Sequence, residues 1–147
     1  MRIVMVCSGY VRLVWGACFA DFGHHITCVD KSEAKIDALE QGEVPIFEPG
    51  LDAIIEHNRA AGRLDFSKDL AAPVVAADVV FISAGTPSRR GDGHADLSYI
   101  YAAAREIAAA VTDFTVVVTK STVPVGTRDE IERIFSEEFL EKDVAVV

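Results

Sequence analysis

Short apolar runs recur along the chain, each separated from the next by a stretch with helical spacing. Arg2–Val6, Ile26–Asp30, Asp78–Ser83, Thr115–Thr119 and Val144–Val147 are rich in Val, Ile and Thr, which suits strands, and Leu64–Phe66 reads as a further short one. Between them, Tyr10–Phe22, Ser32–Gln41, Glu48–Ala61, Ala71–Ala76, Leu97–Val111 and Thr127–Phe139 carry apolar residues at helical intervals. Ser32 stands where an N-cap belongs, and Gly42 follows the end of its helix. The third helix is expected to begin around Pro49 and to stop at Gly62.

Nearly continuous Val/Ile runs are what parallel strands look like when helices cover both faces of a sheet. Regular strand–helix alternation then predicts the α/β class, an open doubly wound parallel sheet in a single domain over residues 1–147. Right-handed crossovers place the first, fourth and fifth strands side by side. In such sheets ligands bind outside the carboxyl ends of the strands, where the strand order reverses. That crevice would be lined by residues 7–12, Asp30, residues 83–87 and residues 120–122.

Charge narrows the classes of partner. The 147 residues hold 23 acidic and 14 basic side chains, for a net charge of −9. Such a chain repels nucleic acid and anionic membranes, so neither is expected as a partner, and a small molecule is. No apolar run approaches the roughly 20 residues that span a bilayer, and no signal peptide precedes the first strand. The three cysteines, Cys7, Cys18 and Cys28, lack metal-ligand spacing and read as reduced thiols of a cytoplasmic protein. Cys18 and Cys28 suit core packing. No metal site is expected.

Five stretches carry a family resemblance: "SGYV" after the first strand, "CVDK" ending the second, "PIFEPGL", "GTPSRRGDGHADLS" and "TKSTVPVGT". Together they resemble the N-terminal, NAD-binding domain of the UDP-glucose 6-dehydrogenases, a Rossmann-like domain, over essentially the whole chain. The resemblance implies that backbone N–H groups of Gly9, Tyr10 and Val11 face the cofactor pyrophosphate. Asp30 would take the adenosine ribose hydroxyls, with Lys35 nearby. Thr86, Pro87, Ser121 and Thr122 would surround the nicotinamide half. A carboxylate at position 30 favours NAD over NADP, since it repels a 2′-phosphate. The family's second domain, with its catalytic cysteine, is expected to be absent from a chain ending in "DVAVV", which would leave these residues unable to oxidise a nucleotide sugar alone. Family members self-associate, so a homodimer is left open.

The phosphate loop departs from the family's Gly-x-Gly-Tyr-Val-Gly. Here it reads Cys7-Ser8-Gly9-Tyr10-Val11-Arg12. Trp15 stands one helical turn beyond, in place of a small residue, and Ala84 marks a further change in "ISAGTP". These departures gather around one pocket, which reads as a cofactor site rebuilt by design into a hydrolase of activated esters. Cys7 at a helix N-terminus would be the nucleophile, because the helix dipole favours a thiolate. His94 would be its base, and the N–H groups of Gly9, Tyr10 and Val11 would hold the oxyanion. Arg12, Trp15, Ser83 and Ala84 would line the pocket. His24 and His25 precede the second strand at the opposite end of the sheet, and His57 lies on an outer helix. On this reading no cofactor is required and NAD binds only weakly. Two alternatives stand beside it: a truncated NAD-binding domain with weakened or lost cofactor binding, and a protein-binding module that uses Trp15 and Arg12 as anchors.

Overall fold

The computed structural model describes residues 1–7, 11–83, 85–87, 95–138 and 144–147. Six strands, β1 (Arg2–Cys7), β2 (His25–Asp30), β3 (Leu64–Ser67), β4 (Val79–Ser83), β5 (Thr115–Thr119) and β6 (Val144–Val146), alternate with helices. The helices are α1 (Val11–Asp21), α2 (Glu33–Glu40), α3 (Leu51–Ala60), α4 (Ala71–Val75), α5 (Ser98–Ala110) and α6 (Thr127–Glu138). Among the described residues, each of these strands pairs with its neighbours in parallel. The sheet order is β3-β2-β1-β4-β5-β6. The chain therefore reverses direction of travel between β3 and β4, and β1 and β4 flank the switch point, as the handedness of crossovers requires.

Each face of the sheet has its own core. Ile3, Met5, Ile26 and Cys28 pack on Leu13, Ala17 and Ala20 of α1 and on Leu51 and Ile55 of α3. Val4, Val80, Ile82 and Val117 point the other way, onto Ile100, Ala104 and Ile107 of α5 and Ile131 and Ile134 of α6. The runs look continuous because alternate residues serve two cores. Helix α1 lies tight against β2: a Cβ on Gly16 would stand 2.8 Å from the Cys28 Sγ, so glycine permits the close approach. Cys28 is thus a packing residue.

Two helix starts differ from expectation in detail. Gly50 precedes α3 with φ at +85°, a conformation no helical residue adopts, so the helix begins at Leu51 rather than near Pro49. Ser32 is the N-cap of α2, but its hydroxyl makes no capping bond. Its backbone N–H instead donates to Asp30 Oδ1 at 2.8 Å. Phe139, the expected end of the last helix, lies outside the described residues. Among the described residues no helix is long and apolar enough to cross a membrane.

Candidate dinucleotide site at the carboxyl ends of the strands

Parallel register brings three strand-end residues into one row. Cys7 pairs with Asp30 on one side and with Ser83 on the other. The chain leaves β1 at Cys7 and enters α1 at Val11, so a helix N-terminus follows the row directly. Of Cys7, Val11 and Arg12 only the backbone is described; Gly9, Tyr10, Ala84 and His94 lie outside the described residues.

Asp30 closes β2 with its side chain 15% exposed. One carboxylate oxygen accepts the Ser32 N–H, and the other lies 3.5 Å from the Lys35 ammonium. The carboxylate is oriented from both sides, yet it borders open space. A cleft of about 520 Å³ lies beside it, between the strand ends and α5. Val6 and Val29 form its floor, and Ala102, Ala103 and Ala109 of α5 leave its wall short of side chains. Its rim is charged: Lys31 and Glu106 form an ion pair from the end of β2 to α5, and Lys68 enters from the turn after β3. Lys68 meets Glu33 at 2.6 Å and Asp37 at 3.7 Å, both on α2. The hydrogen bond with Lys68 holds the Glu33 carboxyl below its usual range, and the same bond holds the Lys68 ammonium above its own.

The other half of the crevice is polar. Thr86 Oγ1 donates to the Thr122 carbonyl at 3.3 Å, and the Lys120 N–H donates to the Ile82 carbonyl at 2.8 Å. These bonds bring the segments after β4 and β5 together, with Ser121 between them in sequence. Pro87 accepts the Asp96 N–H at 2.8 Å, which closes the base of the intervening loop. Ser83 is 3% exposed. Its Oγ and the Thr119 Oγ1 are the buried hydroxyls that lack a partner among the described residues. They mark the carboxyl ends of β4 and β5, where a polar ligand would be met. Trp15 is already engaged: the Lys120 ammonium lies 4.5 Å from its ring centre, and Phe19 meets it edge-on at 5.7 Å.

The structure thus brings together Asp30, Lys35, Ser83, Thr86, Pro87, Ser121 and Thr122 at one end of the sheet. It leaves His25 at the amino end of β2 and His57 on α3. Sequence reasoning missed Lys31, Lys68, Glu106 and the alanine wall of α5. The run "AAAREIAAA" was the available signal: small residues on the exposed side of a helix leave room beside it.

An apolar slot with a carboxylate at its mouth, next to a strand–helix turn at the switch point of a parallel sheet, defines a dinucleotide-binding domain. The comparisons with known proteins name the kind. The model of the "UDP-glucose/GDP-mannose dehydrogenase family, NAD binding domain" matches residues 1–147, and the chain belongs to that family. It is 66% identical to the UDP-glucose 6-dehydrogenase of Rhizobium meliloti over 147 residues, all of this chain and 34% of that protein. A UDP-glucose 6-dehydrogenase of Bacillus subtilis is 47% identical over 141 residues, 96% of this chain and 32% of that protein. Among solved structures, a ternary complex of GDP-mannose dehydrogenase from Pseudomonas aeruginosa superimposes with a TM-score of 0.92 at 38% identity, covering 99% of this chain and 35% of that one. The chain spans about a third of the length of these relatives.

These findings correct the expectation drawn from the altered loop. The matched family and the relatives named above are dehydrogenases, and none of the comparisons supports a cysteine hydrolase with Cys7 as nucleophile and His94 as base. The expectation that no cofactor is required falls with it, since the family domain binds NAD. The rebuilding into a hydrolase falls too: the dehydrogenase family matches the whole chain, with two thirds identity to a bacterial dehydrogenase. One strand-end thiol is a single local feature, whereas five motifs agree on the dehydrogenase domain. A thiol at a helix N-terminus is nucleophilic in principle, but catalysis also needs an oriented base.

Proposed function

We propose that this chain holds NAD for a nucleotide-sugar 6-dehydrogenase, with UDP-glucose as the favoured substrate class. The single observation that carries the reading is Asp30: an oriented carboxylate at the end of β2, bordering an apolar cleft and in register with the residue that leads into α1. A carboxylate there accepts both ribose hydroxyls of an adenosine, and the cleft is apolar where an adenine would lie. The start of α1 would face the pyrophosphate, with N–H groups of Gly9, Tyr10 and Val11 as donors. Thr86, Pro87, Ser121 and Thr122 would flank the nicotinamide half. Bound NAD would supply the hydride acceptor for oxidation of the sugar alcohol. UDP-glucose is preferred over GDP-mannose because the 66% identical relative is a UDP-glucose 6-dehydrogenase, against 41% for a GDP-mannose 6-dehydrogenase.

Equilibrium titration of the 147-residue chain with NADH, followed by nicotinamide fluorescence, tests the reading. Saturable binding should appear together with thermal stabilisation, amounting to about 2.7 kcal/mol at a hundredfold excess over Kd. Absence of binding and of any thermal shift up to millimolar NADH would overturn it.

A further inference from the structure

Lys31 and Lys68 line the cleft and Lys35 lies beside its carboxylate, Asp30, and each lysine is held by a carboxylate. Lys31 pairs with Glu106, Lys35 lies 3.5 Å from Asp30, and Lys68 lies 2.6 Å from Glu33 and 3.7 Å from Asp37. Ammonium groups clustered beside a nucleoside seat would ordinarily welcome a phosphate. Lys68 and Asp30 line the same cleft, so the lysine and the carboxylate of the adenosine reading border one space. Glu33 sits in the first turn of α2, where the positive end of the helix dipole would otherwise attract an anion.

We propose that Glu33 and Asp37 are specificity-determining residues: by occupying the Lys68 ammonium they keep it from serving a 2′-phosphate. The proposal rests on the adenosine-binding reading above. Refusal of the phosphorylated cofactor then has two parts. Asp30 repels the phosphate directly. Glu33 and Asp37 withhold the cation that would compensate. Specificity of this kind lies in what opposes the wrong ligand as much as in what holds the right one. Glu33 stays ionised and Lys68 stays protonated through the neutral range, since each shifts the other in that direction.

Calorimetric titration of the 147-residue chain with 5′-AMP and with 2′,5′-ADP isolates the adenosine end. The wild-type chain should bind 5′-AMP more tightly. In E33Q/D37N the preference should narrow by about fivefold, the scale of one exposed ion pair, through a gain for 2′,5′-ADP, with 5′-AMP affinity within about twofold of wild type. Adding K68M to that variant should remove the gain, while K68M alone should leave the preference unchanged, because the wild-type lysine is already occupied. Melting curves verify that these exposed substitutions leave the fold intact. An unchanged preference in E33Q/D37N would overturn the proposal, and so would a gain that survives K68M, which would show plain loss of repulsion. Failure of the wild-type chain to bind 5′-AMP would instead overturn the adenosine reading and this proposal with it.

Discussion

The Lys120 ammonium rests 4.5 Å from the centre of the Trp15 ring, joining the segment after β5 to α1. Trp15 also meets Phe19 edge-on, and Phe19 stacks on Phe81 of β4 at 5.8 Å between ring centres. A chain of rings thus leads from the sheet to the loop that carries Ser121 and Thr122. Trp15 is 40% exposed, so its cation–π contact contributes about 0.5–1 kcal/mol. Lys120→Met should cost about that much in urea denaturation, and Lys120→Arg less. Trp15 is the chain's one tryptophan, so its emission should shift in Lys120→Met and keep its wild-type position in Lys120→Arg. Equal losses of stability in both variants would show that the charge over the ring contributes nothing.

The cleft beside Asp30 is open because α5 presents alanines to it. Ala102 lines it from an exposed position, so Ala102→Leu should fill the space without disturbing a core. NADH affinity should fall at least about tenfold, equivalent to about 1.4 kcal/mol, with the melting temperature nearly unchanged. Asp30→Ala should weaken NADH by a similar factor through lost charge-assisted hydrogen bonds. NADH titration of both variants, read beside their melting curves, checks this. Wild-type affinity in Ala102→Leu would place the adenine elsewhere.

The Glu33–Lys68 pair gives stability a definite pH dependence. The Glu33 carboxyl is lowered from 4.5 in the folded chain by its bond to Lys68. Its contribution is therefore fully present above that ordinary value and is lost as pH falls through the lower folded value. The Lys68 ammonium is raised from 10.5, so its contribution is present below that value and is lost as pH rises through the higher folded one. Urea midpoints for wild type and Glu33→Gln should differ slightly near neutrality and converge in acid well below the carboxylate range. A difference that persists there would assign the effect to something other than the ionised pair.

Asn58 ties three elements together at the far end of the sheet. Its buried amide donates to the Ile54 carbonyl at 2.9 Å and to Asp21 Oδ1 at 3.2 Å, and its oxygen accepts from Arg63 Nε at 3.0 Å. Asn58→Ala leaves these partners without it and should cost about 1–3 kcal/mol, measured by denaturant unfolding. NADH affinity should be unaffected, since Asp21, Asn58 and Arg63 all lie away from the carboxyl ends of the strands. Weakened binding under conditions where the variant is folded would contradict that separation.

Strand positions, helix positions, the order of β1, β4 and β5 and the place of the crevice were all legible in the chain. Each follows from short-range pattern and from handedness that L-amino acids impose everywhere. Asp30 was legible as well, since it ends the second strand 23 residues after Cys7. The start of α3 was read slightly early because the left-handed turn at Gly50 is a backbone choice that spacing alone does not reveal. The Cys7 reading failed for a related reason. A strand-end thiol is a local feature, whereas a working nucleophile depends on a base delivered from another part of the chain.

By itself, the sequence determined an open parallel α/β sheet, its switch point and its family, because periodicity, turn chemistry and contiguous motifs are properties of neighbours along the chain. Only the tertiary structure decided what surrounds Asp30. Lys31 and Glu106 are 75 residues apart, and Glu33 and Lys68 are 35 apart. Side chains so distant in sequence meet only where the packed strands and helices carry their backbones to the same rim. No run of adjacent residues records which lysine will find which carboxylate, or which alanines will leave a cleft open.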